Sequence, residues 1–147
     1  MGKRQGYIKM KIEIKTLPHK KQSYDTCGDW KFEHGRLRKI LVSDMHNRVY
    51  EFLVAIHEFI EAFLCEQRHI SARAVNKFDI QYEYARERGI ASLCGCVPTG
   101  TSEPGFDRHA PYHKEHVFAT KVERMLAFIL HVDWRKYDEK VNSLSQT

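Results

Sequence analysis

The chain has 147 residues, of which 42% are hydrophobic and 29% charged, and its 24 basic and 19 acidic side chains leave a net charge of +5. That length suits one domain with a sizeable core and is short for two, and the composition excludes a disordered chain. No apolar run approaches the ~20 residues that cross a bilayer, and no signal-peptide core opens the chain, so a membrane protein is not expected.

Four cysteines without a secretory signal fit reduced thiols in a cytoplasmic protein. Much of the basic excess lies early, in Lys3, Arg4, Lys9, Lys11, Lys15, Lys20 and Lys21. Such a balance permits contact with a phosphate backbone and serves solubility equally well. Nucleic acid is therefore an allowed partner, not a favoured one, and nothing in the sequence sets the oligomeric state.

Residues 1–6 read as a flexible basic tail. From Tyr7 to Lys15 the chain alternates, with Ile8, Met10, Ile12 and Ile14 on one face and Lys9, Lys11, Glu13 and Lys15 on the other. Period two predicts a half-buried strand, ended by Pro18. The runs 28–33 and 37–42 flank His34-Gly35-Arg36, a hairpin signal because glycine supplies positive φ. Residues 7–45 should therefore form an antiparallel sheet of about three strands.

Residues 46–147 read as helical. Ser43, Asp44 or Asn47 can cap a first helix running to about Gln67, and Ser71 a second that stops at Gly89. Gly95, Pro98, Gly100, Pro104 and Gly105 mark a long loop near 90–110, a length often associated with function. Pro111 suits the first position of a third helix, whose Val117, Phe118, Val122, Met125, Leu126 and Ile129 form an apolar stripe expected to face the core. Asp133 can cap a short fourth helix starting at Trp134. The expected fold class is α+β, a small N-terminal antiparallel sheet packed on three main helices.

The chemistry concentrates in the first helix. At ~100° per residue, Tyr50, Leu53, Val54 and Leu64 project close to His57 and Glu61, so both polar groups point toward the core. A buried carboxylate needs a proton, a cation or a metal. The i, i+4 spacing lets His57 and Glu61 grip one cation, with Glu58 beside it to take a proton from a bound water. The bland alternative is a His57–Glu61 hydrogen bond inside a core helix.

This segment, His57-Glu58-Phe59-Ile60-Glu61, resembles the zinc-peptidase motif His-Glu-x-x-His, with a carboxylate at the second histidine position. In that family two histidines bind zinc and the glutamate is the general base. The resemblance implies a metal-dependent hydrolase with Glu58 catalytic and His57 and Glu61 as ligands. Zinc is favoured, and the mixed nitrogen and oxygen donors also suit manganese, iron or magnesium.

The third ligand is expected from the third helix, where His116 is preferred and Glu123 is a supporting partner or further ligand. His109, His113 and Asp79 are the alternatives, and a histidine-rich surface is the bland reading. The order of sheet, His-Glu-x-x-Glu helix and later His and Glu is also similar to small phage-type proteins, a resemblance that implies no activity.

Asp79 and Glu83 on the second helix, taken with Glu58 and Glu61, resemble the carboxylates of MazG-type nucleotide pyrophosphatases, which bind magnesium and grip phosphates through it. Pairing of Asp79 and Glu83 with Arg86 or Arg88 is the simpler expectation. Cys94-Gly95-Cys96 has a short spacer for a zinc knuckle and reads as ordinary thiols. Tyr7, Trp30 and Phe32 are candidates for a base-stacking platform. A different class stays open beside the hydrolase: an interaction protein, inhibitor-like or partner-binding, that uses the basic N-terminal sheet.

Overall fold

Gly35 (φ 73°) and His34 (φ 52°) both take the left-handed conformation that a tight hairpin turn requires. In the computed structural model, which describes residues 7, 9–91, 98 and 102–145, they join strands β2 (Gly28–Glu33) and β3 (Arg36–Ser43) as an antiparallel pair. Strand β1 (Glu13–Leu17) lies on the other side of β3, giving the order β1-β3-β2. The tail at 1–6, Ile8 and residues 92–97 and 99–101 of the loop, with Cys94 and Cys96, lie outside the described residues.

The sheet is three-stranded and N-terminal, and the fold is α+β, with two corrections to the expected strands. First, β1 runs parallel to β3, with Glu13 opposite Lys39 and Leu17 opposite Ser43. Alternation reports which face a strand buries and says nothing of its direction. Second, β1 begins at Glu13 rather than Tyr7, and little of the isoleucine face is covered. Ile12 packs against the core, but Met10 is 66% exposed and Ile14 53% exposed, although Ile14 pairs with fully buried Ile40. Helix α1 (Arg48–Gln67) lies over β3 and β2, and the edge strand carries Ile14 beyond that cover.

The connection between β1 and β2 is fastened by His19. Its Nδ1 is 2.9 Å from Ser43 Oγ and its Nε2 is 2.9 Å from Asp25 Oδ1, while Gln22 donates to Ser43 Oγ and to two backbone carbonyls. The residue types are those of a nucleophilic triad, yet Ser43 is wholly buried, so no substrate reaches its hydroxyl. The network is a clasp. Ser43→Ala is expected to lower stability by about 1–2 kcal/mol by leaving these groups unsatisfied. Urea unfolding would show it as a lower midpoint at unchanged slope, and an unchanged midpoint would deny the clasp any role.

Helix α1 (Arg48–Gln67) starts where Asn47 accepts a hydrogen bond from the Tyr50 N–H. Glu51 reaches back to the N–H groups of Met45 and Asn47, so further unpaired donors are satisfied. Helix α2 (Ala72–Arg88) is capped by Ser71 and closed by Gly89 at φ 61°. Helix α3 (His113–Ile129) begins two residues after Pro111, and α4 (Trp134–Leu144) is capped by Asp133. A short 3-10 turn, Pro104–Phe106, packs against both α3 and α2.

The largest correction concerns α3. Its buried residues are Glu115, His116, Ala119, Glu123 and Ala127. Of the stripe expected in the core, Leu126 packs against it and Val117 and Val122 are half-buried, but Phe118, Met125 and Ile129 point outward, at 53%, 66% and 69% exposed. Helix α3 packs on α1 through its small and polar side, where each polar group meets a specific partner. Glu115, for example, pairs with Arg68 at the end of α1.

Candidate metal centre

Three donor atoms meet between α1 and α3. Glu61 Oε2 lies 3.1 Å from His57 Nε2 and 2.8 Å from His116 Nδ1, and the two nitrogens are 3.2 Å apart. All three residues are buried, at 7%, 5% and 5% exposure. Tetrahedral ligands at ~2.1 Å from a cation stand roughly 3.4 Å apart, and octahedral neighbours about 3.0 Å. The triangle, with edges of 2.8, 3.1 and 3.2 Å, lies close to the octahedral spacing and is tighter than the tetrahedral one, most of all between Glu61 and His116. Among the described residues this is the one group of His, Cys, Asp and Glu side chains so arranged.

Each of the three side chains is also held from behind. His57 Nδ1 is 2.8 Å from Glu123 Oε1, and Glu123 Oε2 accepts a 2.6 Å hydrogen bond from the Tyr137 hydroxyl on α4. His116 Nε2 lies 2.9 Å from Glu103 Oε2, an ion pair off the hydrogen-bond line. Glu61 Oε1 receives a long hydrogen bond, 3.4 Å, from Trp30 Nε1 on β2. Outer carboxylates of this kind fix ring orientation and tautomer in metal sites. A proton on the outer nitrogen of each ring leaves a lone pair facing the centre. With Glu61 Oε2, three lone pairs then converge, an arrangement that only a cation or extra protons can stabilise.

The charges follow from these contacts. Burial opposes a charged His57, but its hydrogen bonds to Glu123 and Glu61 raise its pKa well above the usual value. His116 likewise rises to about 9, with burial opposed by Glu103 and Glu61. Burial would raise Glu61, yet the two histidines hold it at about 2. Glu58 behaves oppositely: burial and the nearby Glu61 charge push it well up, with His57 pulling partly back. Partly buried, it lines the same cavity as His57, Glu61 and His116, a space of about 480 Å³.

Two glycines allow the approach. A Cβ on Gly28 would lie 2.6 Å from Glu58 Cγ, and one on Gly105 would lie 2.6 Å from His116 Nδ1. The Phe106 ring also meets the His116 ring edge-on, at 4.6 Å between centroids.

The structure thus brings His57, Glu61, His116, Glu123 and Glu58 together and leaves the alternatives elsewhere. His113 Nδ1 donates to the Gly105 carbonyl, and His109 is joined to Asp107. Asp79 lines the cavity but accepts from the Tyr112 hydroxyl; burial lifts it to about 7 against that pull. Glu83 pairs with Arg86. Trp30 is buried and packs on Phe32, so these two do not form an open stacking platform. Tyr137, Glu103 and Trp30 have no local signature, since each matters only through contacts made across the fold. Gly105 stood out only as a loop residue.

No protein-family model, no curated protein and no solved structure matches this chain. No helix among the described residues is long and apolar enough to cross a membrane.

Proposed function

We propose that the protein is a metal-dependent hydrolase in which His57 Nε2, His116 Nδ1 and Glu61 Oε2 bind one divalent cation, zinc being favoured. The observation that carries this reading is the convergence of three buried donors whose outer atoms are all engaged by Glu123, Glu103 and Trp30. The cation would lower the pKa of a water in an open position and polarise the bond under attack. Glu58 would take one proton from the attacking water as the water oxygen bonds to the electrophilic carbon, and would pass that proton to the leaving group as the old bond breaks. Burial and the Glu61 charge raise the Glu58 pKa, which makes the ionised carboxylate a stronger base and its acid form a ready proton donor.

The cavity wall favours an amide over a nucleotide. Asp25, Asp29, Glu58, Asp79, Glu83 and Glu103 line it, while Arg86 is engaged by Glu83 and Arg124 stacks over Trp134. With Glu58 and Asp79 shifted toward the neutral form, the remaining carboxylates of Asp25, Asp29, Glu83 and Glu103 disfavour phosphates and suit neutral or cationic peptides. A cytoplasmic setting belongs to the same reading and agrees with the free thiols of Cys27 and Cys65.

Elemental analysis of protein purified without a metal-affinity tag is expected to find one divalent cation per chain, and His57→Ala or Glu61→Ala to find none. Glu58→Gln should retain the cation and lose ~10²–10⁴-fold in cleavage of a fluorogenic peptide library. A wild type without stoichiometric metal, and unchanged in stability on chelation, would overturn the reading.

A further inference from the structure

The outward face of α3 is the feature that the hydrolase reading leaves unused. Phe118, Met125, Phe128, Ile129 and Leu130 are 53%, 66%, 82%, 69% and 42% exposed. Side chains of this size present together on the order of 500 Å² of apolar surface, near the upper end for a monomer's largest patch. Phe118, Val122, Met125 and Ile129 follow a 4-3-4 spacing, so they form one continuous ridge along three turns of helix. A ridge so narrow and regular matches the seam between two helices.

The charges beside the ridge narrow the occupant further. Both acidic residues of α3, Glu115 and Glu123, are buried on the other side of the helix. Its exposed charges are Lys114, Lys121 and Arg124, all positive. A second copy laid antiparallel on the ridge would bring Lys121 toward its own counterpart, in a chain that already carries +5. An acidic partner meets neither problem.

We propose that this face of α3 docks an amphipathic helix of another protein, apolar along one side and flanked by Asp and Glu. Docking would clamp the helix that carries His116 and Glu123 without entering the cavity.

The test uses the full chain and a monomeric stapled helix of about 21 residues, with leucines along one face and glutamates beside them. A matched helix with lysines replacing the glutamates is the control. Methyl NMR of the methionines is expected to show Met125 shifting with the acidic helix and buried Met45 unmoved, with micromolar affinity that weakens as salt rises. The lysine helix should bind at least tenfold more weakly, and Met125→Asp with Ile129→Asp should abolish binding. Neither substitution touches the cavity, so loss of docking with metal content intact separates this proposal from the hydrolase reading. Equal binding of both helices, or of neither, would overturn it. So would sedimentation as a dimer that Ile129→Asp dissolves, or tighter binding to phosphatidylglycerol vesicles than to the acidic helix.

Discussion

Gly105→Ala is expected to deprive the protein of most of its bound metal while Gly28→Ala leaves metal in place and removes turnover. The two substitutions add one methyl group each, and both glycines line one cavity. At Gly105 the new Cβ would lie 2.6 Å from His116 Nδ1 and 2.7 Å from Cδ2, closer than side-chain atoms pack. Either the His116 ring swings away from Glu61, or the Pro104–Phe106 turn lifts and takes Glu103 and Phe106 with it. Both outcomes remove support from a ligand, and loss of such outer contacts typically lowers affinity by ~10–100-fold.

At Gly28 the added methyl meets Glu58 Cγ at 2.6 Å and Val54 Cγ1 at 2.8 Å, so it would displace Glu58, the proposed base, and leave the three proposed ligands in place. Neither glycine has a positive φ, so alanine adds no backbone strain and the fold should persist by circular dichroism. Zinc titration of the two variants checks the contrast. Wild-type metal affinity in Gly105→Ala would mean that His116 Nδ1 is not a ligand. Wild-type turnover in Gly28→Ala would remove Glu58 from the mechanism.

How much of this was legible in the sequence differs from element to element. The i, i+4 pair of His57 and Glu61 stood out because two polar groups interrupt the middle of an apolar helical face. A third contributor on α3 followed from the expectation that α1 and α3 share one core. The caps Ser71 and Asp133, and Asn47 as one of three candidates, were readable for a local reason, since a cap and its N–H partner lie within one turn.

Direction was not readable. Periodicity in α3 separates two faces of a helix, and the larger residues Phe118, Met125 and Ile129 made one of them look like the core. What buried the other face is a set of partners spread along the chain: Arg68 for Glu115, Glu61 and Glu103 for His116, and His57 with Tyr137 for Glu123. The β1 strand failed similarly. Its alternation was real, but its orientation beside β3 depends on how residues 18–27 cross, clasped by His19 and Ser43.

Zinc is expected to reverse the way stability depends on pH. Without metal, the centre is held by protonated histidines facing the Glu61 carboxylate. His116 has a folded pKa of about 9 and an ordinary value of 6.5 when unfolded, and His57 is shifted in the same direction. A histidine raised on folding stabilises fully below the unfolded pKa, and that stabilisation is lost as pH climbs through the folded one. For His116 alone the loss is on the order of 3 kcal/mol between pH 6.5 and 9. In a chain of this length that lowers Tm by roughly 10 °C. The opposite shift of Glu61, held at about 2, stabilises above its unfolded value and is lost only in strong acid, outside this window.

A bound cation requires the deprotonated nitrogens, so its affinity rises as the two protons leave. Its contribution grows with the ratio of free metal to Kd and is largest at the alkaline end, where the metal-free protein is weakest. The melting temperature should therefore fall from pH 6.5 to 9 in a chelator and rise or hold level in zinc, the two curves diverging steadily. Parallel curves would place any zinc elsewhere on the protein. A chelated protein with a flat profile would mean that His57 and His116 are neutral in the folded state. The three donors would then already be arranged as a ligand set, held by Glu123 and Glu103 without help from protons.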